Sequence, residues 1–232
     1  MFVFYFNHSI TMSFDATLQH SFNCVIAGPS RSGKTTLLKN ILQERHTLFS
    51  EVPEKVFLFY SHKQPIYDAM LREGLIDELT DISIAYPSFD YLFQLAQPYK
   101  HGRGCLFILD DIISDLSNDF MKIFCNLSHH EKASIILMSQ NLFHNHKAYR
   151  TLSINTHYLF LMKQTRDVTQ ISNLGRQACA GKPNFLPSVY KENLLRPYSY
   201  VLLDFGANQD DQIRVRNHML PNELPIHVFV PN

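Results

Sequence analysis

Net charge is the first thing this chain lacks: across 232 residues, 21 Lys plus Arg balance 21 Asp plus Glu. That excludes a strongly basic, histone-like nucleic-acid binder and an acidic-tail protein, so any grip on DNA must come from local patches. Paired cysteines are missing too. Cys24, Cys105, Cys125 and Cys179 are scattered without a CxxC, which removes zinc-type spacings and disulfide frameworks and points to a reducing, intracellular setting. No stretch approaches the ~18 continuous apolar residues of a membrane span. The aromatic opening Phe2–Phe6 stops at Asn7 and His8 and has no basic flank, so it reads neither as a signal peptide nor as an anchor. Repeats and low-complexity tracts are absent as well. What remains is 45% apolar and 18% charged, enough for one sizeable core and too apolar for disorder. The expectation is a soluble, membrane-free chain with a single domain over 21–232 behind an N-terminal extension at 1–20, in which Met12 offers an alternative start.

Short β-rich runs alternate with helix-like stretches, the pattern of an α/β fold with a mainly parallel sheet flanked by helices. Strands are expected over Asn23–Ala27, Val56–Tyr60, Ile82–Ala85, Leu106–Leu109, Ser134–Met138, His157–Met162 and Tyr200–Asp204. Most are near-continuous apolar runs, as in strands buried on both faces. Apolar residues recur at helical spacing over Lys34–Arg45, Ile66–Arg72, Phe89–Gln97, Asn118–Ser128 and Val168–Cys179. After Phe205 the character changes: GANQDDQ reads as a turn, and Ile213–Arg216 with Pro225–Val230 as a C-terminal hairpin or edge strands.

The strongest signal is Gly28, Pro29, Ser30, Arg31, Ser32, Gly33, Lys34, Thr35 and Thr36, directly after the strand NCVIA and directly before LLKNILQE. It fits G-x-x-x-x-G-K-[ST], the P-loop, in the strand–loop–helix setting that gives the pattern meaning. Gly28 and Gly33 allow backbone angles that let successive N–H groups converge on phosphate oxygens. The helix that follows points its positive end at the same anion. Lys34 supplies a mobile charge to the β- and γ-phosphates of ATP, and the Thr35 hydroxyl is a ligand for Mg²⁺.

An acidic partner is expected and present. Leu106–Leu109 runs into Asp110 and Asp111, placing Asp110 at the carboxyl edge of the sheet as the second Mg²⁺ residue. Asp111 is the candidate base for the attacking water, with a helix N-cap as its plainer reading. The strand Ser134–Met138 ends in Ser139, Gln140 and Asn141, and Gln140 is the candidate sensor of the γ-phosphate or the lytic water; the plainer reading is a polar turn.

GPSRSGKTT, CLFILDDI and IILMSQNLFH, in that order, resemble the FtsK/HerA-like viral DNA-packaging ATPases, especially the poxvirus-type enzymes and their relatives in Polinton (Maverick) elements and adintoviruses. YRTLSINTHYLFLMKQTRD (149–167) and PYSYVLLDF (197–205) resemble the same lineage, so the likeness runs from about Phe22 to Phe205. It implies a RecA-like P-loop NTPase core and a homo-oligomeric ring that pumps double-stranded DNA into a capsid, in contact with capsid or portal vertex proteins. It implies a setting in the host nucleus or a cytoplasmic virus factory, or in the virion. Lys34 and Thr35 then take the phosphate and magnesium roles, Asp110 the magnesium role, Asp111 the catalytic role and Gln140 the sensor role. Arg150 is the candidate arginine donated to a neighbouring subunit, because a guanidinium stays ionised and can bridge two phosphate oxygens; Arg166 and Arg176 are the reserves. Two positions depart from the lineage: Arg31 stands where Gly is frequent, and Asp110–Asp111 replaces the commoner Asp-Glu.

Rival readings are a P-loop nucleotide or small-molecule kinase, which should carry an Arg-rich lid, and a nucleotide-dependent switch or binding module. No such lid and no guanine-selecting N/TKxD sequence is present. His129–His130 and His144 with His146 lie in polar sequence without acidic or thiol company and read as solvated surface rather than metal ligands. The basic groups Lys100, His101, Arg103; Lys163, Arg166; and Arg214, Arg216 are open candidates for DNA contact.

Overall fold

The computed structural model describes residues 3–5, 14–111, 124, 126–128, 130–140, 154–164, 168–179, 181–193, 196–206, 210–223 and 225–231. In chain order the elements are β1 (Val3–Tyr5), β2 (Asn23–Ala27), α1 (Lys34–Gln43), α2 (Arg45–Leu48), β3 (Lys55–Tyr60), α3 (Pro65–Arg72), β4 (Glu78–Asp81) and α4 (Phe89–Ala96). They continue with β5 (Cys105–Asp110), β6 (Ala133–Ser139), β7 (Tyr158–Met162), α5 (Val168–Ala178), α6 (Phe185–Asn193), β8 (Tyr200–Asp204), β9 (Val215–Asn217) and β10 (Ile226–Phe229). Helical turns also occur at 124, 126–128 and 130; the rest of the helix expected over 118–128 lies outside the described residues.

All these strands form one sheet in the order β1-β10-β9-β8-β7-β2-β6-β5-β3-β4. From β7 to β4 every pairing is parallel, while β8, β9 and β10 are joined antiparallel and β1 adds parallel to β10. Alternation along each strand divides the apolar residues between two faces. Val25, Phe57, Phe107, Ile135 and Leu159 face the layer containing α4, α5 and α6. Cys24, Ile26, Leu58, Ile108 and Phe160 face the layer containing α1 and α3. The result is the helix–sheet–helix architecture read from the sequence. The C-terminal pair β9–β10 is a hairpin, and β1 extends the sheet beyond it. Residues 14–20 lie against the body of the fold: Leu18 is buried and exchanges backbone hydrogen bonds with Leu48 and Ser50.

Two elements differ from the sequence expectation. The strand expected at Ile82–Ala85 lies at Glu78–Asp81 instead, in register with Phe57–Tyr60. An edge strand is fixed by one ladder of backbone bonds and needs little apolar content, so the polar ELTD pairs while Ile84 is left fully exposed. Helix α6 was not expected. Its Pro187 falls in the first turn, where no intrahelical N–H is lost. It packs tightly on α5: a Cβ at Gly175 would lie 2.8 Å from the Pro183 carbonyl and 3.1 Å from Pro187 Cδ.

Among the described residues, one ion pair has both partners buried. Arg216 on β9 is fully buried, donates from Nη2 to Asp204 Oδ2 on β8, and lies 5.5 Å from the Phe14 ring centroid. Burial pulls the Arg216 guanidinium below its ordinary pKa, and the Asp204 charge opposes that. Removing one partner of a buried pair leaves the other charge uncompensated, at about 3–5 kcal/mol. Asp204→Ala should therefore lower stability by about that amount in urea unfolding; a loss within ~1 kcal/mol would show that the pair is not what joins β8, β9 and the N-terminal segment.

Candidate active site at the carboxyl edge of the sheet

Because β2, β6, β5 and β3 run parallel, their carboxyl ends open on one edge, where ligands bind in such sheets. Register makes the placement specific. Ala27 of β2 is level with Ser139 of β6, and Asp110 of β5 is level with Met138 of β6 and Tyr60 of β3. One strand, β6, thus separates the phosphate-loop strand from the acidic strand, and its end delivers Gln140 between them. The open cleft there has a volume of about 950 Å³.

The loop from Gly28 to Gly33 is anchored at its start by the Gly28 N–H, which donates to the Ser139 carbonyl at 3.0 Å. Gly28 lies too close to β7 for any side chain: a Cβ would be 2.5 Å from Met162 Cβ. Arg31 (φ +65°) and Gly33 (φ +97°) both adopt left-handed backbone, turning the loop into α1. The Lys34 ammonium folds back onto the loop, donating to the Gly28 carbonyl at 2.7 Å and the Pro29 carbonyl at 3.1 Å. Burial lowers its pKa, and the carboxylates of Asp110 and Asp111 oppose the shift. Ser32 Oγ is buried and has no hydrogen-bond partner among the described residues. A half-buried cation resting on carbonyls and an orphaned hydroxyl form a donor set that fits a polyphosphate.

Across the cleft, Asp110 is buried, and burial raises its pKa above the ordinary carboxylate value. Tyr67 of α3 donates its hydroxyl to Asp110 Oδ2 and pulls in the opposite direction, while its own pKa is pushed up by burial and by the Asp110 charge. Gln64, at the N-terminus of α3, bridges the expected magnesium residues: its Oε1 accepts from Thr35 Oγ1 at 3.2 Å and its Nε2 donates to Asp110 Oδ2 at 3.3 Å. A hydroxyl and a carboxylate spanned by one amide are hard oxygen ligands, as Mg²⁺ requires, with water and phosphate completing its shell. No group of three or more His, Cys, Asp or Glu that could form an all-protein metal cage occurs among the described residues.

Gln140 ties the two sides together. Its Nε2 donates to Asp111 Oδ2 at 2.7 Å, and its Oε1 accepts from Ser30 Oγ at 3.1 Å. Asp111 has φ +56° and keeps its N–H on the Met138 carbonyl at 3.2 Å, so β6 also holds the candidate base. The residues from Gly28 to Thr36 therefore meet Asp110, Asp111 and Gln140 at one edge. Arg150, Arg166, His129, His144 and His146 lie outside the described residues. Arg176 is on α5, exposed, donating to the Ser172 carbonyl and Asn173 Oδ1 and not lining the cleft. Arg216, one of the basic residues considered for DNA contact, is withdrawn from that role by its burial.

Gln64, Tyr67, His62 and Tyr198 also line or support the cleft and were not singled out from the sequence. A weak signal existed for two of them: SHKQP follows an apolar strand and ends with Pro at a helix start, which puts its polar residues at the same sheet edge.

A phosphate loop facing two carboxylates and a glutamine at the carboxyl edge of a parallel sheet defines the class: a P-loop ATPase. The profile of the family described as Poxvirus A32 protein matches residues 10–180, and the chain belongs to that family, that of ATP-hydrolysing viral DNA-packaging enzymes. The genome packaging NTPase B204 from Sulfolobus turreted icosahedral virus 2 has the same fold, with 11% identity over 93% of this chain and 100% of that chain at a TM-score of 0.52. The cytoplasmic domain of the type VII secretion ATPase EccC from Thermomonospora curvata is similar over 81% of this chain and 24% of that chain, with 15% identity and a TM-score of 0.50. None of the curated proteins compared with the chain matches it. Among the described residues no helix is long and apolar enough to cross a membrane.

A raised Asp110 pKa makes the ionised carboxylate costly in the folded state, so ligand-free stability falls as pH rises through that pKa. Were Asp110 to hold Mg²⁺, the same shift would make metal-dependent nucleotide binding fail, on acidification, at a pH above the usual 3.8 of Asp. Tyr67→Phe removes the donor that favours the carboxylate, so half-loss of binding should move to still higher pH in a titration with Mg²⁺ and a nucleotide analogue. An unmoved midpoint would disconnect Tyr67 from Asp110.

Proposed function

We propose that this enzyme couples magnesium-dependent ATP hydrolysis, at the residues just described, to movement of double-stranded DNA into a capsid as a homo-oligomeric ring. The observation that carries the chemical assignment is the chain Ser30–Gln140–Asp111, which joins the phosphate loop to the candidate base through one amide. A γ-phosphate in the loop competes for the Ser30 and Gln140 groups, so nucleotide state reaches Asp111 through a single side chain. Lys34 leaves the Gly28 and Pro29 carbonyls for phosphate oxygens and offsets their charge. Thr35 and Asp110 would hold Mg²⁺, which when bound neutralises charge on the β- and γ-phosphates. Asp111 accepts the proton of the attacking water, and Gln140 orients that water.

Arg150 is proposed to complete the neighbouring subunit's site. Net neutrality of the chain is compatible with a motor that releases DNA at each step, because a few phosphate contacts per subunit add around a ring. Capsid or portal proteins would be the docking partners, in the host nucleus or a cytoplasmic virus factory.

The test is ATP turnover with and without double-stranded DNA, with oligomer mass measured in the same buffer. Lys34→Ala should lose nucleotide binding or turnover. Asp111→Asn should retain ATP and slow hydrolysis by roughly 10²–10⁴; near wild-type turnover would remove Asp111 from the mechanism. Arg150→Ala should lose about 10³ in rate, and mixing it with Lys34→Ala should restore part of that at hybrid interfaces. Verified mixed rings without rescue would contradict action in trans.

A further inference from the structure

On the far side of Tyr198 from the phosphate cleft, a second cavity of about 680 Å³ opens against α1 and β9. The two cavities share Gly33, Thr36 and Tyr198. Lys34, Gln140 and Asp111 fix where the γ-phosphate lies, so the α end of a triphosphate must leave past Gly33 and Thr36. That exit leads along the first turns of α1, where Leu37 and Asn40 form the floor of the second cavity. We propose that this cavity is the nucleoside pocket, in which Tyr198 gives the base a flat face and Asn217 reads an adenine edge. The assignment rests on the ATPase reading and adds the other half of its ligand.

Tyr198 is 69% exposed, yet its backbone has φ +63°, a conformation that bulky residues seldom adopt. The turn around it is held by Ser199 Oγ donating to the Arg196 carbonyl at 2.7 Å and Lys163 N–H donating to the Ser199 carbonyl at 3.0 Å. Its ring stands against the phosphate loop, with Cδ1 3.0 Å from where a Cβ on Gly33 would be. A strained backbone that presents an aromatic face beside a ligand loop is characteristic of a clamp, and bases stack on such faces.

Asn217 lines the same cavity, is 5% exposed, and its Oδ1 has no hydrogen-bond partner among the described residues; neither has Nδ1 of the adjacent His218. Buried polar atoms are ordinarily paired, so partners are expected from outside the chain. Asn217 Oδ1 is an acceptor and can take the adenine amino group. The Hoogsteen edge of guanine presents only acceptors and would leave that oxygen unpaired. The pocket therefore favours adenine.

Titration calorimetry with Mg²⁺ and ATPγS, GTPγS or inorganic tripolyphosphate, on wild type, Tyr198→Ala and Asn217→Ala, tests this. Wild type should bind ATPγS about tenfold or more tighter than either competitor, Tyr198→Ala should lose about that factor for ATPγS and a clearly smaller factor for tripolyphosphate, and Asn217→Ala should narrow the ATPγS–GTPγS gap. Equal wild-type affinity for ATPγS and tripolyphosphate, or a Tyr198→Ala variant that binds ATPγS as wild type does, overturns the pocket and leaves the phosphate site standing. If wild type binds none of the three, the ATPase reading fails and the pocket with it. Should Asn217→Ala not fold, the exposed Tyr198 and the wild-type comparison still decide.

Discussion

One half-buried ammonium group beside a loop of backbone carbonyls and amides is the constraint from which the rest of this molecule follows. Lys34 is held where burial works against its charge, and among the described residues two carbonyls and two carboxylates compensate it. A lysine with a depressed folded pKa makes its charged form a burden on the fold at neutral pH, since the stability available above the unfolded pKa is lost as pH falls through the folded one. Asp110 is strained in the complementary sense, with ionisation opposed by burial. A bound magnesium polyphosphate would relieve both penalties. The site is thus preorganised for a charge it does not itself supply, as electrostatic catalysis requires.

The sheet makes this possible. Parallel strands buried on both faces need no polar residue until their ends, so chemistry concentrates where β2, β5 and β6 stop. Placing β6 between the phosphate-loop strand and the acidic strand sets Gln140 within reach of Ser30 on one side and Asp111 on the other. An amide has both a donor and an acceptor, so a single side chain spans a hydroxyl that donates to it and a carboxylate that accepts from it. Gln64 repeats the device between Thr35 and Asp110. Two glutamines thereby occupy the hydrogen-bonding positions for which, on the proposed reading, nucleotide and metal would compete.

What the sequence made legible was what is local in the chain. The phosphate loop spells its backbone geometry in consecutive residues, and Asp110, Asp111 and Gln140 each follow an uninterrupted apolar strand that predicts where they emerge. Gln64 and Tyr67 act on Asp110 from 46 and 43 residues away, a relation that only the β3–β5 pairing creates. Tyr198 comes to Gly33 at the end of the long β7–β8 connection, after α5 and α6 and just before the antiparallel β8, a proximity that no periodicity in the chain announces. The edge strand β4 was misplaced because its position is set by a backbone ladder rather than by apolar content. Arg216 looked like a surface charge because sequence shows a cation but not the Asp204 that permits its burial. Arg150 as the donated arginine and contact with capsid or portal proteins rest on resemblance and are proposals, as are the domain limits read from length and composition.

Thermal unfolding of wild type and Lys34→Met, each with and without Mg²⁺ and ATPγS, tests the central claim most directly. The account predicts that the methionine variant, relieved of a half-buried charge, melts at or above the ligand-free wild type and gains nothing from nucleotide, whereas wild type gains strongly. A variant that melts well below wild type without ligand, and is still stabilised in full by nucleotide, would contradict it.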